Sequence, residues 1–186
     1  AEYRVASAHG ATPFDALEDV CAALEYLLAQ AADLGFPPER LVAAGGSAGA
    51  HLALCAALFG RVPLGALALF NPVLDTSEQG FGSERFGGRG LELSPLHHVR
   101  PGLPPTLVLQ GVDDGITPLT TAARFRDLMW DAGNRCELEV YPGEGHSFFN
   151  PGRGKGRAYR ATLRRTEQFL GTLGYLALDY PGGTHP

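Results

Sequence analysis

The sequence predicts an α/β fold in which helices cover both faces of a mostly parallel β-sheet, giving three αβα layers. Short apolar runs suited to strands alternate with helical patterns along the chain, which is typical of parallel sheets joined by right-handed crossovers. Segment 41–49 passes from an apolar run through a corner of small residues into a helical pattern. Ser47, Asp114 and His146 each follow a predicted strand, where catalytic groups gather in such folds.

Length and composition indicate one globular domain over residues 1–186. The chain is 45% hydrophobic and 19% charged, which suffices for a core of its own. Its net charge of −5 argues against nucleic acid as a partner, and its apolar runs are too interrupted for membrane insertion. The three cysteines form no Cys-x-x-Cys pair, so we expect neither a disulfide framework nor a zinc site.

The first residues carry little information about the compartment. The chain begins with Ala1 rather than Met, and no signal-like segment precedes it. We expect numbering to begin after a processing or truncation point, and the compartment stays open, with the cytoplasm favoured.

The N-terminal third is predicted to contain a strand followed by an amphipathic helix. Residues 1–5 alternate well enough for a short strand. Thr12 has the chemistry of an N-cap, Pro13 suits the first helical position, and Asp15 lies near the positive end. We expect this helix to continue to about residue 33 and to end before Gly35.

The middle of the chain predicts the strand and helix around Ser47, then a long irregular segment. Residues 41–44 form an apolar strand, and the almost entirely apolar residues 50–59 form a helix buried on most sides. Residues 64–70 suit a strand covered on both faces. Residues 71–100 are rich in Gly, Ser and Pro, and we expect a lid or pocket wall because long loops in compact domains are usually functional.

The C-terminal part predicts two further strand–helix units. Residues 106–110 suit a buried strand and 119–131 a helix, while 136–141 alternate as a half-exposed edge strand does. Residues 159–173 suit the last helix, and 181–186 are expected to be frayed.

The residues around Ser47 have the spacing of a nucleophile elbow. Gly45 and Gly49 bracket Ser47 as Gly-x-Ser-x-Gly, the pattern of a tight strand-to-helix turn that pushes the serine hydroxyl out of the sheet. We expect both glycines to be required because strand and helix pass within contact distance. The backbone N–H of Ala48 is expected to face a developing oxyanion.

A serine nucleophile needs a base and an acid that orients the base. His146 lies in a Gly-rich loop after the last strand and is the predicted base, with His51 expected to pack beneath the elbow instead. Asp114 is the favoured acid, while the adjacent Asp113 and the earlier Asp75 stay open as alternatives. No metal or cofactor is expected.

Three residues are candidates for contact with a substrate. They are Gly46 beside the predicted nucleophile, Phe148 close to the predicted base, and His98 in the irregular segment. Phe149 and Tyr141, also near the predicted base, are further candidates for the wall of an acyl pocket. Core packing is the commoner role of such aromatic residues, and histidines such as His98 are more often solvated or capping.

The chain resembles the esterase/lipase branch of the α/β-hydrolase superfamily, close to the bacterial acetyl esterases and the hormone-sensitive-lipase-like carboxylesterases. The resemblance lies in Glu2-Tyr3-Arg4-Val5 and in segments 13–19, 45–52, 111–118 and 143–148. It implies a reduced α/β-hydrolase sheet of about five strands. It also implies hydrolysis of carboxylic esters through an acyl-enzyme, with Ser47 as nucleophile, Asp114 as acid and His146 as base.

The chain departs from this branch at its N-terminus. Members carry additional strands and a His-Gly-Gly-Gly loop before the Tyr-Arg strand, and that loop donates most of the oxyanion hole. His9-Gly10 lies on the wrong side of the strand to replace it. We therefore expect either a minimal hydrolase with a substitute donor or a fragment of a longer chain. We also expect copies to self-associate as a homodimer through the uncovered sheet edge.

The favoured function is a small carboxylesterase for short acyl esters, because the chain between Ser47 and Asp114 is too short for a large cap. The alternative is a catalytically silent α/β domain that acts as a binding module. Peptidase activity ranks below both, since no gating domain accompanies the predicted site.

Overall fold

Four parallel strands form the sheet in a computed structural model that describes residues 2–176. They are β1 (Val42–Gly46), β2 (Ala66–Phe70), β3 (Thr106–Gly111) and β4 (Cys136–Tyr141), in the spatial order β1-β2-β3-β4. Every neighbouring pair is parallel, so the carboxyl ends of the strands meet at one edge of the sheet. The predicted parallel α/β sheet is confirmed, with four strands in this part of the chain instead of about five.

Helices cover both faces of the sheet. In chain order they are α1 (Ala6–His9), α2 (Pro13–Ala29), α3 (Ala31–Leu34), α4 (Ala48–Phe59), α5 (Leu119–Asp131) and α6 (Arg157–Thr172). Helices α4 and α5 pack on one face and α6 on the other, while α2 packs against the outside of α4. No helix within residues 2–176 combines the length and apolarity needed to cross a bilayer.

The alternation of side chains along the strands creates two cores. Leu67 and Val108 point to the face that α4 and α5 cover, where Phe125 is fully buried. Leu107 points to the opposite face, against Phe169 of α6. The predicted three-layer arrangement follows from this alternation, since the central strands β2 and β3 supply apolar side chains to both faces.

The predicted first strand is wrong. Residues 2–5 form no strand and lie along α2, because the Arg4 backbone N–H donates to Asp19 Oδ2 at 2.8 Å and the Arg4 guanidinium pairs with the same carboxylate. Backbone donors used in this way are not available to a β-ladder. Residue 1 of that prediction, and the predicted frayed end at 181–186, lie outside the described residues.

The predicted start of the first long helix is confirmed. Thr12 Oγ1 accepts the Asp15 backbone N–H at 3.3 Å, and Asp15 Oδ2 accepts the Thr12 backbone N–H at 2.7 Å, which together form a capping box. The helix does not continue unbroken to residue 33, since Gln30 interrupts it between α2 and α3. Gly35 ends α3 with a φ of 74°.

Segment 71–100 packs along α4 and contains three short 3₁₀ turns, Ser83–Phe86, Gly90–Leu93 and Pro95–His97. Phe86 and Leu93 are buried against Cys55 of α4, and Leu96 reaches the main core. These buried anchors hold the segment against the helix that follows Ser47.

Candidate active site

Ser47 occupies a strained turn between β1 and α4. Its φ of 54° and ψ of −117° lie in a region that residues other than glycine rarely adopt. Its backbone N–H donates to the Phe70 carbonyl at the end of β2, at 2.9 Å. A Cβ atom on Gly45 would lie 2.4 Å from the carbonyl carbon of Gly49, so Gly45 is required by the close passage of strand and helix.

The surroundings of the other two glycines of this turn, Gly46 and Gly49, differ from those that the sequence predicted. A Cβ on Gly49 would meet nothing nearer than the Tyr3 hydroxyl at 3.9 Å, so the expectation that Gly49 must be small is wrong. A Cβ on Gly46 would lie 2.3 Å from the Phe149 ring. Gly46 therefore makes room for an aromatic side chain of the His146 loop.

The His146 imidazole lies between Ser47 and Asp114. Its Nε2 is 2.9 Å from Ser47 Oγ, and its Nδ1 is 2.8 Å from Asp114 Oδ2. A carboxylate can only accept, so Nδ1 carries the hydrogen in this arrangement and Nε2 is free to accept from the serine hydroxyl. The geometry permits a proton to pass from Oγ to Nε2.

The buried Asp114 carboxylate is held by several donors. Its Oδ1 accepts the backbone N–H groups of Ile116 and Thr117, each at 2.9 Å, and its Oδ2 accepts the Thr117 hydroxyl at 2.8 Å. Burial by itself raises the pKa of Asp114, but the hydrogen bonds from Thr117, His146 and the rest of the turn outweigh it. The pKa lies below its ordinary value, so Asp114 is ionised at neutral pH.

The alternative carboxylates do not contact His146. Asp113 is exposed, and its backbone N–H donates to the Glu144 carbonyl at 3.0 Å. Asp75 Oδ1 accepts the Ser77 backbone N–H at 2.9 Å and the Ser94 hydroxyl at 3.2 Å, so it stabilises its own turn.

Two of the three candidate substrate contacts lie away from the Ser47 hydroxyl. Phe148 is 1% exposed and packs in the core against α6. His98 contacts the Phe59 ring at the far end of α4 from Ser47. In the same loop, Ser147 has a φ of 63°. The ring that lies over Gly46 is that of Phe149, a contact that the sequence alone did not reveal.

Two polar residues near His146 were not among the site residues predicted from the sequence. Asn71 Nδ2 lies 3.4 Å from His146 Nε2, and Thr117 Oγ1 lies 3.5 Å from Nδ1. Asn71 directly follows β2 at the same sheet edge as Ser47. A polar residue immediately after a buried strand was the available signal.

A mostly apolar cavity of about 180 Å³ begins at Ala48, the residue after Ser47. Its walls come from the N-terminal segment, α4 and segment 71–100, and they include Tyr3, Ala48, Leu52, Val73, Phe81 and Phe86. His51 also borders it, but its Nε2 lies 2.8 Å from the Leu93 carbonyl oxygen and burial lowers its pKa, so it is a neutral packing residue.

No group of three His, Cys, Asp or Glu side chains within residues 2–176 is arranged to hold a metal ion.

Comparison with known proteins identifies the family. Residues 7–172 match the family model of the prolyl oligopeptidase family, Peptidase_S9. The chain belongs to the prolyl oligopeptidase family. A search of curated proteins finds no match to this family member.

This member of the prolyl oligopeptidase family is similar to solved structures of an esterase. Native esterase 2 of the planctomycete Thermogutta terrifontis, a thermophilic esterase, is 38% identical, with a TM-score of 0.89 over 96% of this chain and 71% of that chain. The butyrate-bound form is 37% identical over 96% and 73%, again with a TM-score of 0.89. The form phosphoramylated by tabun is 40% identical over 95% and 71%, with a TM-score of 0.88.

These comparisons confirm the resemblance to the esterase branch of the α/β-hydrolase superfamily. The chain is a serine hydrolase of the esterase type.

Proposed function

We propose that this chain is a carboxylesterase that hydrolyses short-chain acyl esters through an acyl-enzyme on Ser47. The observation that carries the proposal is the unbroken series of hydrogen bonds from Ser47 Oγ through His146 to the Asp114 carboxylate. Nucleophile, base and acid stand within reach of one another without any movement of the backbone.

In acylation, Ser47 Oγ attacks the ester carbonyl carbon while its proton passes to His146 Nε2. Asp114 accepts the hydrogen bond from Nδ1 and stabilises the imidazolium that forms. The bond to the alkoxy group then breaks, and Nε2 gives its proton to that oxygen, so the alcohol leaves and the acyl group stays on Ser47.

In deacylation, a water molecule attacks the acyl carbon and passes a proton to His146 Nε2. The bond between the acyl carbon and Ser47 Oγ breaks, and Oγ takes the proton back from Nε2. The carboxylic acid is released and the starting arrangement returns.

The backbone N–H of Ala48 is the proposed oxyanion donor. Ala48 is the first residue of α4, and N–H groups in the first turn of a helix have no acceptor within the helix. The helix dipole adds a partial positive charge at the same point.

The cavity beside Ala48 supports the short-chain preference. It is mostly apolar, and at about 180 Å³ it suits a chain of a few carbons better than a long one. Val73, Phe81 and Phe86 give segment 71–100 the role of a pocket wall. Structures of the related Thermogutta terrifontis esterase have been solved with butyrate and with propionate bound, which agrees with a short acyl group.

Ester hydrolysis is tested with p-nitrophenyl acetate, butyrate and octanoate, using the wild-type chain, Ser47→Ala and the control Ser7→Ala in the exposed helix α1. A prolyl p-nitroanilide tests peptide-bond chemistry, because the family name comes from a peptidase. We expect rates on acetate and butyrate that exceed the octanoate rate, that disappear in Ser47→Ala, and that persist in Ser7→Ala.

Three outcomes would contradict the proposal in different ways. Octanoate turned over faster than butyrate overturns the short-chain preference. Faster cleavage of the anilide than of the esters indicates a peptidase. Equal background rates in wild type and Ser47→Ala overturn the enzymatic function and favour the binding module.

A further inference from the structure

Asn71 is fully buried at the end of β2, in a backbone conformation that asparagine adopts more readily than most residues. Its φ is 36°, and its side chain is 0% exposed. Its backbone N–H donates to the Leu109 carbonyl at 2.8 Å, so the neighbouring strand β3 holds the residue in place.

The side-chain amide of Asn71 spans two consecutive residues of the histidine loop. Its Oδ1 accepts the Ser147 backbone N–H at 3.2 Å, and its Nδ2 lies 3.4 Å from His146 Nε2. The Ser147 N–H can only donate, so it determines which end of the amide faces it. The NH₂ group must therefore face the imidazole, and it favours an Nε2 that carries no hydrogen.

Asn71 also connects the other two parts of the site. The carbonyl of the preceding residue, Phe70, accepts the Ser47 backbone N–H at 2.9 Å. The carbonyl oxygen of Asn71 itself lies 3.4 Å from Thr117 Oγ1, whose hydroxyl donates its hydrogen to Asp114 Oδ2 at 2.8 Å. The end of β2 thus contacts the elements that carry the serine, the acid and the histidine.

We propose that Asn71 is a positioning residue that holds the His146 ring with its Nε2 unprotonated and directed at Ser47. The proposal rests on the proposed esterase function. It assigns to Asn71 a second constraint on the ring, independent of the bond between Nδ1 and Asp114.

The contacts of the ring show why a charge change at this position is informative. Within the described residues, the side chains within hydrogen-bonding distance of the ring nitrogens are one charged group, Asp114, and three neutral ones, Ser47, Thr117 and Asn71. The amide of Asn71 opposes a proton on Nε2, whereas a carboxylate in its place would attract one. The ring would then stay protonated, and unable to act as base, up to a higher pH.

The test compares Asn71→Asp with Asn134→Asp, a matched control. Asn134 is also buried, and its Oδ1 accepts the N–H groups of Gly102 and Leu103, at the end of the sheet opposite Ser47. We expect Asn71→Asp to move the acid limb of the kcat/KM profile upward by about one to three pH units, the effect of an opposite charge in contact. Asn134→Asp should leave the limb in place.

A second variant covers the case in which Asn71→Asp does not fold. Asn71→Gly keeps the positive φ without strain and removes the whole side chain, including the amide. We expect kcat to fall by about 10- to 100-fold, with KM within about twofold of wild type, because a misdirected base slows chemistry and not binding. An unchanged kcat would overturn the proposal.

Imidazole ¹⁵N NMR separates failure of this proposal from failure of the esterase function, with His146→Gln assigning the signal. We expect the His146 titration to move to higher pH in Asn71→Asp whether or not the chain turns over esters. If the His146 titration in Asn71→Asp stays at its wild-type pH, while the wild-type chain hydrolyses esters through Ser47, only the role of Asn71 is overturned. Loss of Ser47-dependent turnover in wild type overturns the esterase function alone.

Discussion

Replacing Asp114 with Asn should switch the site off while changing the shape of the side chain very little. Oδ1 of Asp114 accepts two backbone N–H groups, from Ile116 and Thr117, and these can only donate. In Asp114→Asn the amide oxygen must take that position, which turns the NH₂ group toward His146 Nδ1. Nδ1 then has to accept, and the imidazole hydrogen moves to Nε2.

An Nε2 that carries the hydrogen cannot take the proton of Ser47. The bond between Nε2 and Oγ, 2.9 Å in the wild-type chain, would then run in the wrong direction for catalysis. We expect kcat to fall by about 10³- to 10⁴-fold, the loss seen when a triad histidine is held in the wrong tautomer. The free energy of unfolding should fall by only about 1–3 kcal/mol, because the buried Gln110 amide, 3.3 Å from Asp114 Oδ2, loses its carboxylate partner.

The assay measures kcat and KM on p-nitrophenyl butyrate for wild type, Asp114→Asn and Asp113→Asn, with urea unfolding of each. Asp113 is the matched control because it is adjacent and exposed. Its variant should stay within about twofold of wild type. An Asp114→Asn variant that kept more than a tenth of the wild-type kcat, or an Asp113→Asn variant that lost as much as Asp114→Asn, would contradict the assignment of Asp114 as the partner of His146.

Three further predictions concern the turn, acid stability and association. Gly45→Ala should lower the free energy of unfolding by about 1–3 kcal/mol, since its Cβ would lie 2.4 Å from backbone atoms. Gly49→Ala should cost less than about 1 kcal/mol, because its Cβ would have 3.9 Å of clearance. Equal losses in urea unfolding would contradict this prediction. Because the pKa of Asp114 is lowered in the folded chain, its contribution to stability is present above pH about 4 and is lost as pH falls through the folded pKa. In Asp114→Asn the free energy of unfolding should therefore fall less steeply with decreasing pH than in wild type. Parallel pH profiles of the two chains would argue against this prediction. Strand β1 has one sheet neighbour among the described residues, so we expect a concentration-dependent increase in mass by analytical ultracentrifugation, and a constant monomer mass would count against self-association.

The parts of the fold that depend on neighbouring residues could be predicted from the sequence. The capping box at Thr12 and Asp15 uses groups three residues apart, and it fixes the start of α2. The Gly-x-Ser-x-Gly corner likewise indicated the strained turn at Ser47 between β1 and α4. The alternation of apolar runs and helical patterns indicated a parallel sheet, because each signal lies within one element.

The sequence also placed Ser47, Asp114 and His146 at one edge of the sheet, since parallel strands bring their carboxyl ends together. It left three carboxylates open as partners of His146. The choice among them depends on the turn after β3, where Thr117 and Ile116 hold Asp114 facing the ring.

Other features depend on contacts between distant segments, and these contacts exist only in the folded chain. Residues 2–5 lie along α2 instead of in the sheet because Arg4 pairs with Asp19. The Phe149 ring covers Gly46, and Asn71 contacts a histidine that lies 75 residues further along the chain. Local patterns determine which elements form and where they begin, whereas the direction of a side chain in a loop depends on packing between elements that the sequence does not display.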